Sequence, residues 1–140
     1  MKTTSEYSVC ALLVGQHEEA RVLLHEIFRE AGWTLLEAPD RRRAAECMDR
    51  HAVQVVIASR EVGRWNWKRV LDMLRSRQPQ PQLIVTCRTA DERLWSEVLN
   101  CGGYDVLPQP FQREEVERVV ASARRQYDRP RRAVGSNSAA

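Results

Sequence analysis

Two rhythms of apolar residues alternate along the chain. Short unbroken runs open each unit: YSVCALLVG at 7–15, WTLLEA at 33–38, VQVVIA at 53–58, QLIVTC at 82–87 and YDVL at 104–107. A run without polar alternation predicts a strand buried on both faces. Between the runs, apolar residues recur three and four positions apart, the spacing of a helix. Ala20, Leu23, Leu24, Ile27, Phe28 and Ala31 make the first stripe, and Gly32 is placed to end it. Asp40 can cap a second helix reaching about Arg50, with Ala44, Ala45 and Met48 inward. Trp67, Val70, Leu71 and Leu74 mark a third helix, stopped by QPQPQ at 78–82. Thr89 and Glu92 have capping-box spacing for a fourth, carrying Leu94, Trp95, Val98 and Leu99 and closed by Gly102 and Gly103. After PQPF comes a fifth, with Val116, Val119, Val120, Ala123 and Tyr127 on one side.

Five strand–helix alternations predict an α/β domain with a parallel sheet and helices on both faces. In such sheets chemistry sits at the carboxyl ends of the strands. Here those ends are 14–17, 59–62, 86–88 and 108–110. The 140 residues suit one domain with a real core. The expected division is a lead-in at 1–6, the domain at 7–127 and a tail at 128–140. The tail, DRPRRAVGSNSAA, lacks apolar periodicity and reads as disordered.

Composition narrows the picture only a little. With 43% hydrophobic and 29% charged residues the chain is an ordinary soluble domain. A net charge of +3 is too small to indicate nucleic acid by itself. Cys10, Cys47, Cys87 and Cys101 form no CxxC pair and no metal-type spacing with His17, His25 or His51. Cys10 and Cys87 lie within strand-like runs, where a thiol is a small core residue. No apolar run approaches the roughly 20 residues needed to span a bilayer, and no signal-peptide pattern opens the chain. The cytoplasm is the expected compartment.

The stretch LIVTCRTADERLWSEVLNCGGYDVLPQPF at 83–111 resembles a receiver-domain pattern: strand, Thr or Ser, helix, GAxDYLxKPF, helix. VGQHEEARVLLHEIF at 14–28 is similar to the first strand and helix of the same family, VDDEPxxRxxLxxxL. The chain thus resembles the receiver domain of bacterial two-component response regulators over about residues 7–127. The resemblance implies a single flavodoxin-like (βα)5 domain, a doubly wound parallel sheet of strand order 2-1-3-4-5. It also implies a phosphorylation pocket. Two acidic residues after the first strand hold Mg²⁺, an Asp ending the third strand takes the phosphoryl group, a Thr or Ser ends the fourth, and a Lys precedes the final Pro-Phe. The chemistry needs these types, because a hard cation takes carboxylate oxygens and the transferring group needs its charge spread. In this chain the acidic pair falls on Gly15 and Gln16, the acceptor on Ser59 and the Lys on Gln109. Thr86 alone matches. The aromatic switch position holds Val106, with Tyr104 nearby, and the LPGxDG loop reads VGRWNW.

The expectation is therefore a stand-alone, degenerate receiver, a phosphorylation-independent interaction module with no catalytic residues. No cofactor is expected, and Mg²⁺ enters only if the pocket works after all. The partner would be a histidine kinase, a downstream effector or a second copy, met on the face of the fourth helix, fifth strand and fifth helix. Trp95, Tyr104, Val106 and Arg118 are the candidates there. One alternative keeps phosphorylation at an unconventional residue, with Mg²⁺ held by Glu18, Glu19 or Glu61. Another uses the Arg run from 123 to 132 to bind nucleic acid, although Arg near a helix end is also favoured by the helix dipole. His17 reads as a loop residue rather than a ligand. Trp67 is expected to pack inward, and Trp65 is left open between covering a loop and anchoring a partner. No GxGxxG or GxxxxGK[ST] motif is present, and Ser59, Thr86 and Gln109 do not assemble a nucleophile–base–oxyanion set.

Overall fold

Residue parity along each strand sorts the interior into two layers. The computed structural model describes residues 8–15, 18–62, 65–88 and 92–129, excluding the side chains at 18, 19, 61, 62 and 65. Strands β1 (Cys10–Val14), β2 (Thr34–Ala38), β3 (Val55–Ser59), β4 (Gln82–Cys87) and β5 (Asp105–Pro108) form a parallel sheet in the order β2-β1-β3-β4-β5. Successive strand residues point to opposite faces. Leu12, Val14, Val56, Ala58 and Val85 go to one face, against α2 (Arg41–Arg50), α3 (Trp67–Arg75) and α4 (Glu92–Cys101). Ala11, Leu13, Val55, Ile57 and Ile84 go to the other, against α1 (Glu18–Ala31) and α5 (Arg113–Asp128). The fold is the α/β, flavodoxin-like, single-domain architecture with the 2-1-3-4-5 strand order that the resemblance implied.

The helices bury most of the stripes their spacing marked, but Trp95 and Leu99 of α4 are exposed, and Leu23, Ala31 and Tyr127 are only partly buried. Ala44 and Met48 of α2 are buried, whereas Ala45 is only partly so. Asp40 caps α2 by accepting from Arg43 N at 2.9 Å. Asn66 does the same for α3, accepting from Lys68 N at 3.0 Å. Trp67 is 2% exposed and seats α3 on the sheet beside Val70, Leu71 and Leu74. Gly32, at φ 78°, turns the chain out of α1, and the Trp33 ring then meets Phe28 edge-on at 5.5 Å. Only a residue without Cβ takes that backbone freely.

Some local expectations shift. The run at 53–58 becomes a strand at 55–59, and the run at 104–107 a strand at 105–108. The third helix ends at Arg75 with Ser76 as its cap, ahead of the Gln-Pro repeat that was expected to stop it. The segment after Ser59, read as a loop, contains a two-residue antiparallel pair, Glu61–Val62 with Trp65–Asn66. Two-residue strands carry no periodicity to detect. Cys10 is half-buried rather than fully enclosed, while Cys87 is buried. Burial pushes the Cys10 and Cys47 thiols up, and the neighbouring Cys47 adds to the effect on Cys10. Tyr7, Gln16, His17, Thr89 and the tail from residue 130 lie outside the described residues. So do the side chains of Glu18, Glu19, Glu61 and Trp65.

Trp67→Ala should cost about 3–5 kcal/mol by emptying the space between α3 and the sheet. Asp40→Ala should cost about 1 kcal/mol by leaving Arg43 N without its capping acceptor. Urea unfolding midpoints measure both, and Trp67→Ala must be the larger loss.

Candidate functional site

The carboxyl ends of β1, β3, β4 and β5 converge at one rim of the sheet. β3 and β4 end in register, with Ser59 opposite Thr86. Thr86 O accepts from Arg60 N at 3.0 Å, and Cys87 O accepts from Gln109 N at 2.7 Å. These bonds fix how the chain leaves both strands. Gly15 leaves β1 at φ 100°, its N–H donating to Ala38 O at 2.9 Å. The Gln109–Pro110 peptide bond is cis.

Parity tells where these residues point. Ala11 and Leu13, Val55 and Ile57, and Ile84 face α1 and α5. Gly15, Ser59 and Thr86 continue those series by one more step of two. They therefore belong to the α1–α5 side of the rim. Thr86 is 1% exposed, and its Oγ1 has no hydrogen-bond partner among the described residues. Ser59 is half-buried and does have a polar partner. Gly15, Ser59, Thr86 and Gln109 are all uncharged, and Gln16 lies outside the described residues. Among the described residues, no three His, Cys, Asp or Glu side chains gather closely enough to hold a metal ion.

The opposite parity builds a second feature. Cys87 and Val106 face the α2–α4 side. There they floor an open cavity of about 370 Å³ between α4 and α5. Glu92 and Trp95 of α4 form one wall, and Glu115 and Arg118 of α5 form the other. Asp105 and Pro108 of β5 complete the floor. Trp95 is 49% exposed and Leu99, one turn on, is 42% exposed. The Trp95 indole Nε1 donates to Asp105 Oδ1 at 3.0 Å, and the same oxygen accepts from Val106 N at 2.7 Å. Of the four residues expected on this face, Trp95, Val106 and Arg118 meet in one cavity. Tyr104 sits apart, packed on the α1–α5 layer with its hydroxyl hydrogen-bonded to Ser122.

Sequence reasoning named Glu92 only for its capping-box spacing, and did not put Asp105, Pro108 or Glu115 on this face. Glu92 and Glu115 each sit in the first turn of a helix. Read alone, that position is explained by the helix dipole. Only the crossing of α4 and α5 over β5 brings them together.

His25 and part of the Arg run are in structural use. Glu37 accepts from Arg21 at 2.8 and 2.9 Å and pairs with His25, tying α1 to β2. Partial burial pushes its carboxyl up, but the Arg21 and His25 contacts outweigh this and hold it below the usual carboxylate range. Arg124 donates to Ser8 O at 2.9 Å and pairs with Asp128 at 2.5 Å, so this part of the Arg run braces the domain. A polar cavity of about 580 Å³ lies at the opposite rim, where Arg77 pairs with Asp49 at 2.8 Å. Among the described residues no helix is long and apolar enough to cross a membrane.

Comparison with known proteins agrees with this geometry. The response regulator receiver domain model matches residues 11–121. The fold is similar to the signal receiver domain of an HD domain-containing protein from Pseudomonas fluorescens Pf-5. That match has 21% identity and a TM-score of 0.74, covering 86% of this chain and 97% of the other. It is also similar to the chemotaxis response regulator CheY4 of Vibrio cholerae, at 17% identity and a TM-score of 0.69, covering 80% and 98%. A third match is the Saccharomyces cerevisiae Ssk1 receiver domain, from its co-crystal with the histidine phosphotransfer protein Ypd1. It has 10% identity and a TM-score of 0.70, covering 81% and 86%. No curated protein matches the sequence. A family model covering most of the chain, on a sheet of matching order, makes this protein a member of the receiver domain family of two-component response regulators.

Proposed function

We propose that this receiver domain signals in the cytoplasm without accepting a phosphoryl group, as a protein-interaction module. One observation carries the reading. The rim where the family's acceptor carboxylate stands holds Ser59, opposite Thr86. Phosphoryl transfer to an aspartate begins with an ionised carboxylate, whereas a serine hydroxyl needs a base to remove its proton. None of Gly15, Thr86 and Gln109 is such a base.

The donor set does not fit Mg²⁺ either. A hard divalent cation is held by carboxylate oxygens. Gly15 offers no side chain, and Gln16 and Ser59 offer only neutral oxygens. No step is therefore routed through a metal here. The replacement of the Lys by Gln109 is consistent with the same loss. An ammonium group over a pocket without acids would be a buried, unpaired charge. What remains of the pocket is the buried Thr86 hydroxyl, a neutral group that is stable without a phosphate.

Output then depends on a surface. The groove between α4 and α5 presents Trp95, Val106 and Arg118 together, and Trp is the residue type that most often dominates binding energy. The yeast Ssk1 receiver was crystallised with a histidine phosphotransfer protein. A protein partner, whether kinase, effector or second copy, is the matching expectation for this chain.

Ser59→Asp by itself should not create a phosphorylatable domain, because both metal-binding acids would still be missing. Incubation with radiolabelled acetyl phosphate and Mg²⁺ reads this out. Both wild type and Ser59→Asp should remain unlabelled. Strong Mg²⁺-dependent labelling of the single variant would overturn the pocket argument. Labelling of the wild type would favour an unconventional acceptor.

A further inference from the structure

The groove between α4 and α5 combines an apolar floor with an acidic rim, in a chain that is basic overall. Val106, Pro108 and the exposed Trp95 ring supply the apolar surface. Glu92 stands on the α4 wall and Glu115 on the α5 wall, with Asp105 between them. Among the described residues Arg118 is the one cationic lining residue, so these linings give three carboxylates against one guanidinium. The whole chain carries +3. Asp105 is engaged by the Trp95 indole and the Val106 amide. Glu92, Glu115 and Arg118 make no ion pair among the described residues. Glu97, also on α4, pairs with Lys68 of α3.

An anionic partner would meet this rim at a cost, since like charges brought together during desolvation oppose binding. A purely apolar partner would cover Glu92 and Glu115 without replacing their hydration. A segment with an aliphatic or aromatic side chain flanked by Lys or Arg satisfies both walls. Its apolar group rests on Trp95, Val106 and Pro108, and its cations reach Glu92 and Glu115.

We infer that the groove between α4 and α5 docks a cationic, amphipathic segment of a protein partner. This rests on the proposed role of that face, and adds the chemistry of its occupant.

The test uses the full chain with two short amidated helical peptides, one built of Leu and Lys and one of Leu and Glu. The readout is the Trp95 indole N–H resonance, assigned by its loss in Trp95→Phe. The Leu–Lys peptide should shift this resonance saturably, and added salt should weaken the binding. Glu92→Gln combined with Glu115→Gln should weaken it about tenfold, as expected for losing two partly exposed charge pairs. Arg118→Gln should tighten it about threefold, a gain that simple damage to the fold would not produce. The Leu–Glu peptide should leave the resonance unmoved.

Three results would overturn the proposal. One is an absent response to the Leu–Lys peptide. The second is binding that the two Gln substitutions leave unchanged. The third is an indole shift that depends on protein concentration without peptide, which would put a second copy in the groove. Binding that Trp95→Ala abolishes while the Gln substitutions leave it intact would keep the face as a docking site and reject only the cationic occupant. Binding that neither Trp95→Ala nor the Gln substitutions alter would reject the face as well.

Discussion

Burial of the parallel sheet on both faces is the constraint from which the rest follows. Each strand must supply apolar side chains alternately to α1 and α5 and to α2, α3 and α4. That alternation does not stop at the core. It continues to the strand ends and assigns every residue there to one side. Thr86 and Cys87 are chain neighbours, yet one belongs to the α1–α5 side and the other lies on the floor of the groove. Adjacent residues of one strand thus belong to opposite sides of the sheet.

The two sides differ in electrostatic character. Among the described residues at the strand ends on the α1–α5 side, Gly15, Ser59, Thr86 and Gln109 are neutral. The buried Thr86 hydroxyl lies within the cost of a polar group and well below that of an uncompensated ion. The groove side carries charge, with Glu92 and Glu115 on facing walls and a half-exposed Trp95 beside Glu92 on α4. Val55, Ile57 and Ile84 fill the layer beneath these strand ends.

Much of the fold could be read from the sequence because burial on both faces leaves a strong signature. QLIVTC at 82–87 becomes β4 residue for residue, and the Trp67, Val70, Leu71 and Leu74 stripe becomes the buried face of α3. The small pair at Glu61–Val62 and Trp65–Asn66 was beyond reach, since two residues cannot show a period. Helix ends were softer still: α3 stops at Arg75, where Ser76 caps it, before any proline intervenes. For the pocket, linear motifs were enough to place Ser59, Thr86 and Gln109, because strand ends in a doubly wound sheet converge by topology. For the groove they were not. Trp95 and Arg118 could be named from the helix faces, but Glu92 and Glu115 look like ordinary first-turn acids until α4 and α5 are seen to flank one cavity. Tyr104, adjacent in sequence to the β5 residues of the groove, packs on the other layer instead.

Intrinsic tryptophan fluorescence during titration with Mg²⁺, and then with Mg²⁺ plus beryllofluoride as a phosphoryl mimic, tests the silence of the pocket most directly. Trp67 is a suitable reporter: its amide donates to Arg60 O at 3.2 Å, directly after Ser59 at the end of β3. On the proposed reading the response should be flat at every concentration. A saturable change dependent on both Mg²⁺ and beryllofluoride would mean that the rim still binds metal and phosphoryl group, and would contradict a receiver that works without them.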